Sequence, residues 1–535
     1  MVASPLKRLS LIYLATSVSC LPQPKHQWQS REISTGDVAE AYDFIVVGGG
    51  QSGLVVANRL SEDANNTVLV VEYGYFDNRP EQLDPYSVGG LINWPKYDMC
   101  NVTSTPQAGL LGNTVQALAG AVVSGGSTVN GMLLTRGSAD DYDNWAKLND
   151  EPGWGFQGLL PSFKKSATFQ EPLPELAHDY NIAWDQNAYG QGSPIYESIA
   201  SYQFPGTLPQ WKGMEEAGLT PQTEGAGGKV YGIFWFPNAI DNETVTRSYA
   251  VRGYYTPVAD RANLHLLTGH RVNEITFDAN LGANGVHIKS REDSGNAEVT
   301  SVRVNKEVVL AAGAFHSPQI LQRSGIGPSS VLTEAGIEVL VDLPGLMPDS
   351  WISVVETLQN QNSSEFLPAS YTTEQLAGFE VQRRLFLDSL QRDDNAVIKI
   401  PFNGSSWFAI VGTKGMSRGT VHVDPADRYA EPVLDFGTFR NPIDVRFMVG
   451  AIEFARRWHE TPAMVETFGP VGAVQPAANI TDYADLEQIV RRSTSGTIGH
   501  ISGTCSMMPR HLGGVVGTDL RVYGAADLIK ARHNC

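Results

Sequence analysis

The sequence predicts an α/β fold built on a parallel sheet, and three neighbouring observations carry the prediction. Phe44-Ile45-Val46-Val47 is a short β-branched and aromatic run, the pattern of a strand buried on both faces. It runs directly into Gly48-Gly49-Gly50-Gln51-Ser52-Gly53, which satisfies G-x-G-x-x-G through Gly48, Gly50 and Gly53. Leu54 to Leu60 then has helical spacing, and Val68-Leu69-Val70-Val71 is a second apolar strand ending on Glu72. Strand, turn, helix, strand and terminal acid agree on one unit, a Rossmann-like dinucleotide-binding segment.

Each part of that unit has a physical task. The glycines allow a tight turn, close approach of backbone to a pyrophosphate, and tight packing of helix on strand. The helix start offers unpaired N–H groups and the positive end of a dipole to the phosphates. An acid about 20 residues further on, here Glu72, can accept hydrogen bonds from an adenosine ribose.

The remaining composition is that of a globular chain. Of 535 residues, 42% are hydrophobic and 18% charged, without charge blocks or long Pro/Ser tracts. A net charge of −18 argues against nucleic acid or an anionic membrane as partner. The N-terminus differs in character from the rest of the chain. Lys7 and Arg8 precede the apolar run Leu9 to Ala15, and small residues Ser17, Ser19 and Cys20 come next, the pattern of a secretory signal peptide over residues 1–20. That core is too short to span a bilayer, and no later segment is long enough. Glycosylation sequons begin at Asn65, Asn101, Asn242, Asn362, Asn403 and Asn479, in keeping with a secreted protein. Cys20, Cys100, Cys505 and Cys535 make neither a disulfide framework nor a metal-ligand spacing, so no metal is expected.

Residues 21–41 read as a polar linker. Tyr73 to Gln116 is rich in Pro, Gly, Asn and Asp, so a surface-wrapping loop is expected there; Trp94 and Pro95 within it fit either a cover over the ligand or loop packing. Gly125-Gly126-Ser127-Thr128 is another small-residue loop, compatible with close approach to a ligand or with a structural turn, and Asn130 adds a polar group. Trp154 to Phe163 reads as a loop entering a short helix. Gln170 to Thr246 carries Trp184, Trp211 and Trp235 among many Pro and Gly residues, a substrate-side excursion or simply aromatic packing. Arg247 to Pro257 and Asn263 to Phe277 return to strand-like patterning.

Three separated motifs then resemble the glucose–methanol–choline (GMC) oxidoreductases. The first joins the Gly48–Gly53 turn to Asn130-Gly131-Met132, Arg136-Gly137, Asp141-Tyr142-Asp143 and Trp145. The second is GAFHSPQILQRSGIG at Gly313 to Gly327, and the third HISGTCSM at His500 to Met507. Met507-Met508-Pro509 and Gly513-Gly514-Val515-Val516 are similar to the fungal glucose-oxidase and aryl-alcohol branch. The resemblance implies FAD as cofactor, a flavin domain assembled from separated segments, and a second α+β substrate domain on an antiparallel sheet. It places Gly48, Gly50, Gln51, Ser52 and Gly53 at the pyrophosphate turn and Glu72 and Tyr73 at the ribose end. Asn130, Gly131, Met132 and Leu133 would lie along the flavin, and the backbone of Val272 at the adenine. The implied organisation is residues 42–345 mainly FAD-binding, 346–490 mainly substrate domain, with Ser417 to Asn441 as its sheet and Val445 to His459 a helix on it, and 491–535 returning to the FAD domain.

The chemistry implied is oxidation of an alcohol, with oxygen or a quinone as final electron acceptor. An alcohol must lose its hydroxyl proton as its hydride leaves, and an imidazole with a pKa of roughly 6.5 is a suitable acceptor near working pH. The motif puts His500 in that role; His316, His511 and His533 lack such a setting, and Cys505 reads as a buried small residue. An aryl or benzylic alcohol or a hydroxylated secondary metabolite is the expected substrate. A cyclase with structural flavin and a non-catalytic flavin protein stand beside that reading. The chain departs from the family in two places. After Pro344-Gly345, Leu346-Met347-Pro348-Asp349-Ser350 replaces a flavin-adjacent loop. After Leu520 to Gly524, Ala525 to Cys535 replaces a further strand, a flavin turn and a closing helix that supplies a second catalytic His or Asn. Loose FAD and poor turnover are expected of the chain as written.

Overall fold

The computed structural model describes residues 32–77, 79–85, 99–292, 299–343, 361–392, 394–405, 408–469, 479–497 and 499–531. The signal segment, most of the linker, Trp94, Pro95 and the departure at Leu346 to Ser350 lie outside the described residues. The organising feature is a seven-stranded sheet. Its strands are β1 (Ala41–Val47), β2 (Val68–Val71), β3 (Leu264–Leu267), β4 (His270–Phe277), β5 (Ala283–Ser290), β6 (Thr300–Leu310) and β7 (Leu528–Lys530). They run in the order β4-β5-β6-β1-β2-β3, with β7 also paired to β6. The β6–β1–β2–β3 part and the β6–β7 pair are parallel, while β4–β5–β6 is antiparallel.

Burial follows that change of partner. In β6, the half facing β5 alternates, with Val302 and Val304 buried and Ser301 and Arg303 exposed; the half between β1 and β7 buries Val308, Val309 and Leu310 in succession. Helix α1 (Gln51–Leu60) lays Leu54 and Ala57 on Val46, Val68 and Val70. The opposite face of the sheet, through Ile45, Val47, Leu69 and Val71, joins a second core containing Ile320, Leu321 and Met507. Both faces are therefore covered, as a parallel sheet requires. α3 (Gly313–Arg323), to be distinguished from the one-turn α2 (Gly126–Val129), carries the second motif.

Three sequence expectations change. Arg247 to Pro257 is strand only at Thr246–Arg247; beyond it lie a π-helical turn, Val251–Tyr255, and a 3₁₀ turn, Thr256–Val258. Tertiary packing overrides the aromatic and β-branched composition, because Tyr254, Tyr255 and Val258 cover the same core as α1. Within the expected surface loop Tyr73–Gln116, Met99–Thr103 pairs antiparallel with Gln116–Gly120. Ala525 to Lys530 does hold a strand, β7, whose Leu528 is completely buried against β6. On the substrate side the described sheet is a set of short antiparallel pairs, Ile398–Lys399 with Val411–Gly412 and Thr420–His422 with Val433–Asp435. A helix at Pro442–His459 packs there, started by Asn441, whose side chain accepts from the Ile443 amide, and by Pro442.

Candidate active site

The glycine turn divides into residues its own chain requires and one it does not. Gly48 has φ +105°, and a Cβ there would lie 2.4 Å from the Ala311 carbonyl oxygen. A Cβ on Gly53 would lie 1.9 Å from the carbonyl oxygen of Gly48. A Cβ on Gly50 would meet nothing within 4 Å, and its backbone, φ −70° and ψ −177°, suits any residue. Gly50 is also the N-cap of α1 and offers no capping side chain, so the first bond of the helix is Leu54 N to Gly50 O at 2.9 Å. Open space thus faces the positive end of a helix, where an anion is stabilised. Gln51 and Ser52 lie half-buried in that first turn.

The second small-residue loop docks on the first. Ser124 N donates to Gly49 O at 2.7 Å, and a Cβ on Gly125 would come within 3.2 Å of Gly50 Cα. Ser124 itself holds φ +80°, a conformation held by bonds of its hydroxyl to Ser127 Oγ at 2.6 Å and from the Val251 amide at 3.2 Å. Arg247, 1% exposed, ties this loop down from below. Its Nε donates to Gln82 O, and its Nη1 to Ser127 O, Asn130 O and Asn130 Oδ1 at 2.6–3.2 Å. Among the described residues its buried Nη2 has no hydrogen-bond partner. Burial pulls this guanidinium down to about 10, so it remains charged at neutral pH.

At the other end of the turn, Glu72 is 6% exposed and accepts from Gly49 N and Gly74 N, each at 2.7 Å. Burial pushes its carboxyl up to about 7 despite those two donors. Tyr73 packs its ring under Arg291, 4.4 Å from ring centroid to guanidinium carbon. His270 N donates to Glu72 O at 3.0 Å, which sets β4 beside this end. The Val272 side chain, two residues on, is buried in the core, leaving only its backbone for a ligand. An open glycine at a helix start, a buried cation with a spare donor and a nearby buried carboxylate fit the pyrophosphate and ribose of FAD.

The stretch Asn130 to Thr135 continues from the second loop. Met132 turns inward with φ +62°, its carbonyl accepting from Ala239 N at 2.7 Å, while Leu134 N donates to Pro237 O at 3.1 Å. Asn130, Gly131, Leu133, Leu134 and Thr135 remain exposed, Leu133 by 46%. That open, partly apolar strip suits the face of a flat ring. At the end of the strip the Lys399 Nζ lies 3.4 Å from Thr135 Oγ1, and the charge of this lysine is also felt at His500. His500 is exposed. Desolvation by the surrounding protein, and then Lys399, hold its pKa below the ordinary histidine value. His500 is therefore neutral near pH 7 and able to accept a proton. Burial pushes the Cys505 thiol up to about 11, which leaves it inert as a nucleophile.

Sequence reasoning missed Ser124, Arg247 and Lys399. For Lys399 a signal existed, a lone charge in the apolar run Val397-Ile398-Lys399-Ile400. For Arg247 and Ser124 none did, since their roles are made by chain segments far away. Among the described residues there is no His/Cys/Asp/Glu group that could hold a metal, and no helix long and apolar enough to cross a membrane.

Comparison with known proteins places this arrangement. The GMC oxidoreductase family matches through its N-terminal part at residues 42–337 and its C-terminal part at residues 416–529. The chain is 31% identical to dehydrogenase xptC of Emericella nidulans, over 91% of this chain and 88% of the relative. It is 28% identical to pyranose dehydrogenase of Agaricus xanthodermus, over 91% and 87%. Among solved structures, an FAD-dependent oxidoreductase from Chaetomium thermophilum superposes with a TM-score of 0.85 at 32% identity, covering 91% of this chain and 94% of that one. A fungal aryl-alcohol oxidase superposes at 0.83 and 30% identity, covering 92% and 94%. With matches over most of its length and a site that fits the flavin nucleotide, the chain belongs to the GMC oxidoreductases, FAD-dependent enzymes acting on CH–OH groups.

Proposed function

We propose that the protein oxidises an aryl or benzylic alcohol, or a hydroxylated secondary metabolite, to the carbonyl compound, with His500 as base. The observations that carry this reading are an exposed imidazole, neutral near pH 7, and the exposed strip Asn130–Thr135, at whose end Thr135 lies beside Lys399, a cation whose charge is felt at that imidazole. Bound FAD supplies the hydride acceptor. The protein's own work is to hold the nucleotide by Gly50, the α1 start and Glu72, and to present an apolar strip along Leu133. Nε2 or Nδ1 of His500 takes the hydroxyl proton as negative charge develops on the substrate oxygen, and the resulting imidazolium stabilises that charge. The likeness to an aryl-alcohol oxidase supports the substrate class. Oxygen or a quinone completes the cycle as electron acceptor. Secretion belongs to the same proposal, supported by the signal pattern at residues 1–20 and by exposed sequon residues Asn65, Asn362, Asn403 and Asn479.

Anaerobic addition of candidate alcohols to purified holoprotein tests the proposal through flavin absorbance. Bleaching with benzylic alcohols is expected, and His500→Ala should stay folded and yellow but bleach about a hundred- to ten-thousand-fold more slowly. Unchanged bleaching in that variant would make His500 a packing residue.

A further inference from the structure

Lys399 stands out among the charged groups on the substrate side. Lys414 lies 2.5 Å from Asp141, and Arg392 lies 2.7 Å from Asp394. No carboxylate among the described residues acts on Lys399. Its neighbours are the Phe236 ring, whose centroid is 4.4 Å from Nζ, and the hydroxyl of Thr135 at 3.4 Å. It sits on the short strand Ile398–Lys399, half-buried, with apolar residues on either side in sequence. A desolvated ammonium over an aromatic face keeps its charge but has, among the described residues, only one weak hydrogen-bond partner for three N–H donors. Burial pulls it down to about 8, so it is mostly cationic at neutral pH.

Position gives that cation a use. Thr135 is two residues beyond Leu133 on the exposed strip, and the Lys399 charge reaches His500. Trp235, next to Phe236, stacks on Trp211 at 5.8 Å. A flat apolar molecule bearing an anion at the Thr135 end of the strip would meet an unneutralised cation beside the Phe236 ring. We propose that Lys399 binds a carboxylate carried by the aromatic alcohol that the protein oxidises. This rests on His500 marking the reacting end of the site. The anionic group lies on the part of the substrate remote from the reacting carbon, so Lys399 selects the substrate by a charge-assisted hydrogen bond and takes no part in the proton transfer.

Two probes separate this from the oxidation reading. Calorimetric titration of holoprotein with benzoate and with neutral benzamide needs no turnover. Benzoate should bind at least about tenfold more tightly, the range of one charge-assisted bond. Lys399→Met should erase that preference, and Lys399→Arg should retain part of it; flavin content and melting temperature show that both variants fold. In steady-state assays para-(hydroxymethyl)benzoate should have a lower KM than its methyl ester. Lys399→Met should raise the KM of the acid about ten- to a hundredfold more than that of the ester. Equal binding of benzoate and benzamide to the parent would overturn the proposal, as would an equal fall in kcat for acid and ester in Lys399→Met, which would place Lys399 in the chemistry at His500. If benzoate binding depends on Lys399 while no alcohol bleaches the flavin, the anion site stands and the oxidation reading falls.

Discussion

Gly50→Val separates cofactor capture from folding. Gly50 has an extended backbone with open space where its Cβ would be, so a Cβ there costs the free protein no strain. The gain from restricting the unfolded chain and the poorer N-cap that valine makes are of similar size and opposite sign, so the cofactor-free protein should keep its stability to within about 1 kcal/mol. The cost falls on the ligand. A side chain at the start of α1 holds a phosphate away from the helix N–H groups, and each charge-assisted bond lost is worth about 1.5–3 kcal/mol. Loss of two such bonds amounts to roughly 3–6 kcal/mol, about a hundred- to ten-thousand-fold in FAD affinity. The assay compares the flavin-to-protein ratio after gel filtration with the thermal midpoint of flavin-stripped protein. Expected are a colourless variant and an apoprotein midpoint close to the parent's. Stoichiometric flavin in Gly50→Val would refute the assignment, and an unfolded variant would show that Gly50 serves the chain rather than the ligand.

Gly53→Ala should behave in the opposite way, because Gly48 O would have to retreat from 1.9 Å to the 3.0 Å that real side chains require; insoluble protein or an apoprotein destabilised by about 1–3 kcal/mol is expected on denaturant titration. Glu72 gives the flavin-free protein a pH dependence. Its folded pKa, raised to about 7, exceeds the ordinary 4.5, so the folded state holds more protons between those values and stability falls as pH rises through them. At about 1.4 kcal/mol per pH unit the loss is roughly 3 kcal/mol, and urea titrations of Glu72→Gln apoprotein should show that slope removed. Arg247→Met leaves the Gln82, Ser127 and Asn130 carbonyls without their buried donor, so a melting-temperature drop equivalent to about 3 kcal/mol or more, together with flavin loss, is expected.

The dinucleotide unit is legible in the sequence because its determinants are local. Strand, turn, helix and acid lie within Phe44 to Glu72, and hydrophobic period and glycine spacing report on them directly. Val251–Tyr255 misleads because its aromatic and β-branched residues suit a strand, and only the neighbouring α1 makes a helical turn the better way to bury them. Long-range geometry hides the rest of the site. Nothing near Ser124 says that it binds Gly49, and nothing near Lys399 announces Thr135. Tyr73 to Gln116 reads as a loop because its hairpin strands are short and separated by turn-forming residues.

The docking of the Ser124–Gly126 loop on the Gly48–Gly50 turn bears on how such a protein diverges. The contact is made from main-chain atoms, Ser124 N to Gly49 O and Gly125 against Gly50 Cα, so most side-chain replacements nearby leave it untouched. The fold's own demand then falls on a few positions that must lack a Cβ or keep an unusual backbone, such as Gly48, Gly53 and Ser124, and the demand of the nucleotide on Gly50. Surfaces such as the strand bearing Lys399 are released to drift toward new substrates while the coenzyme stays the same. In this fold, what the strand bearing Lys399 recognises and how the turn holds its coenzyme are therefore separable by substitution.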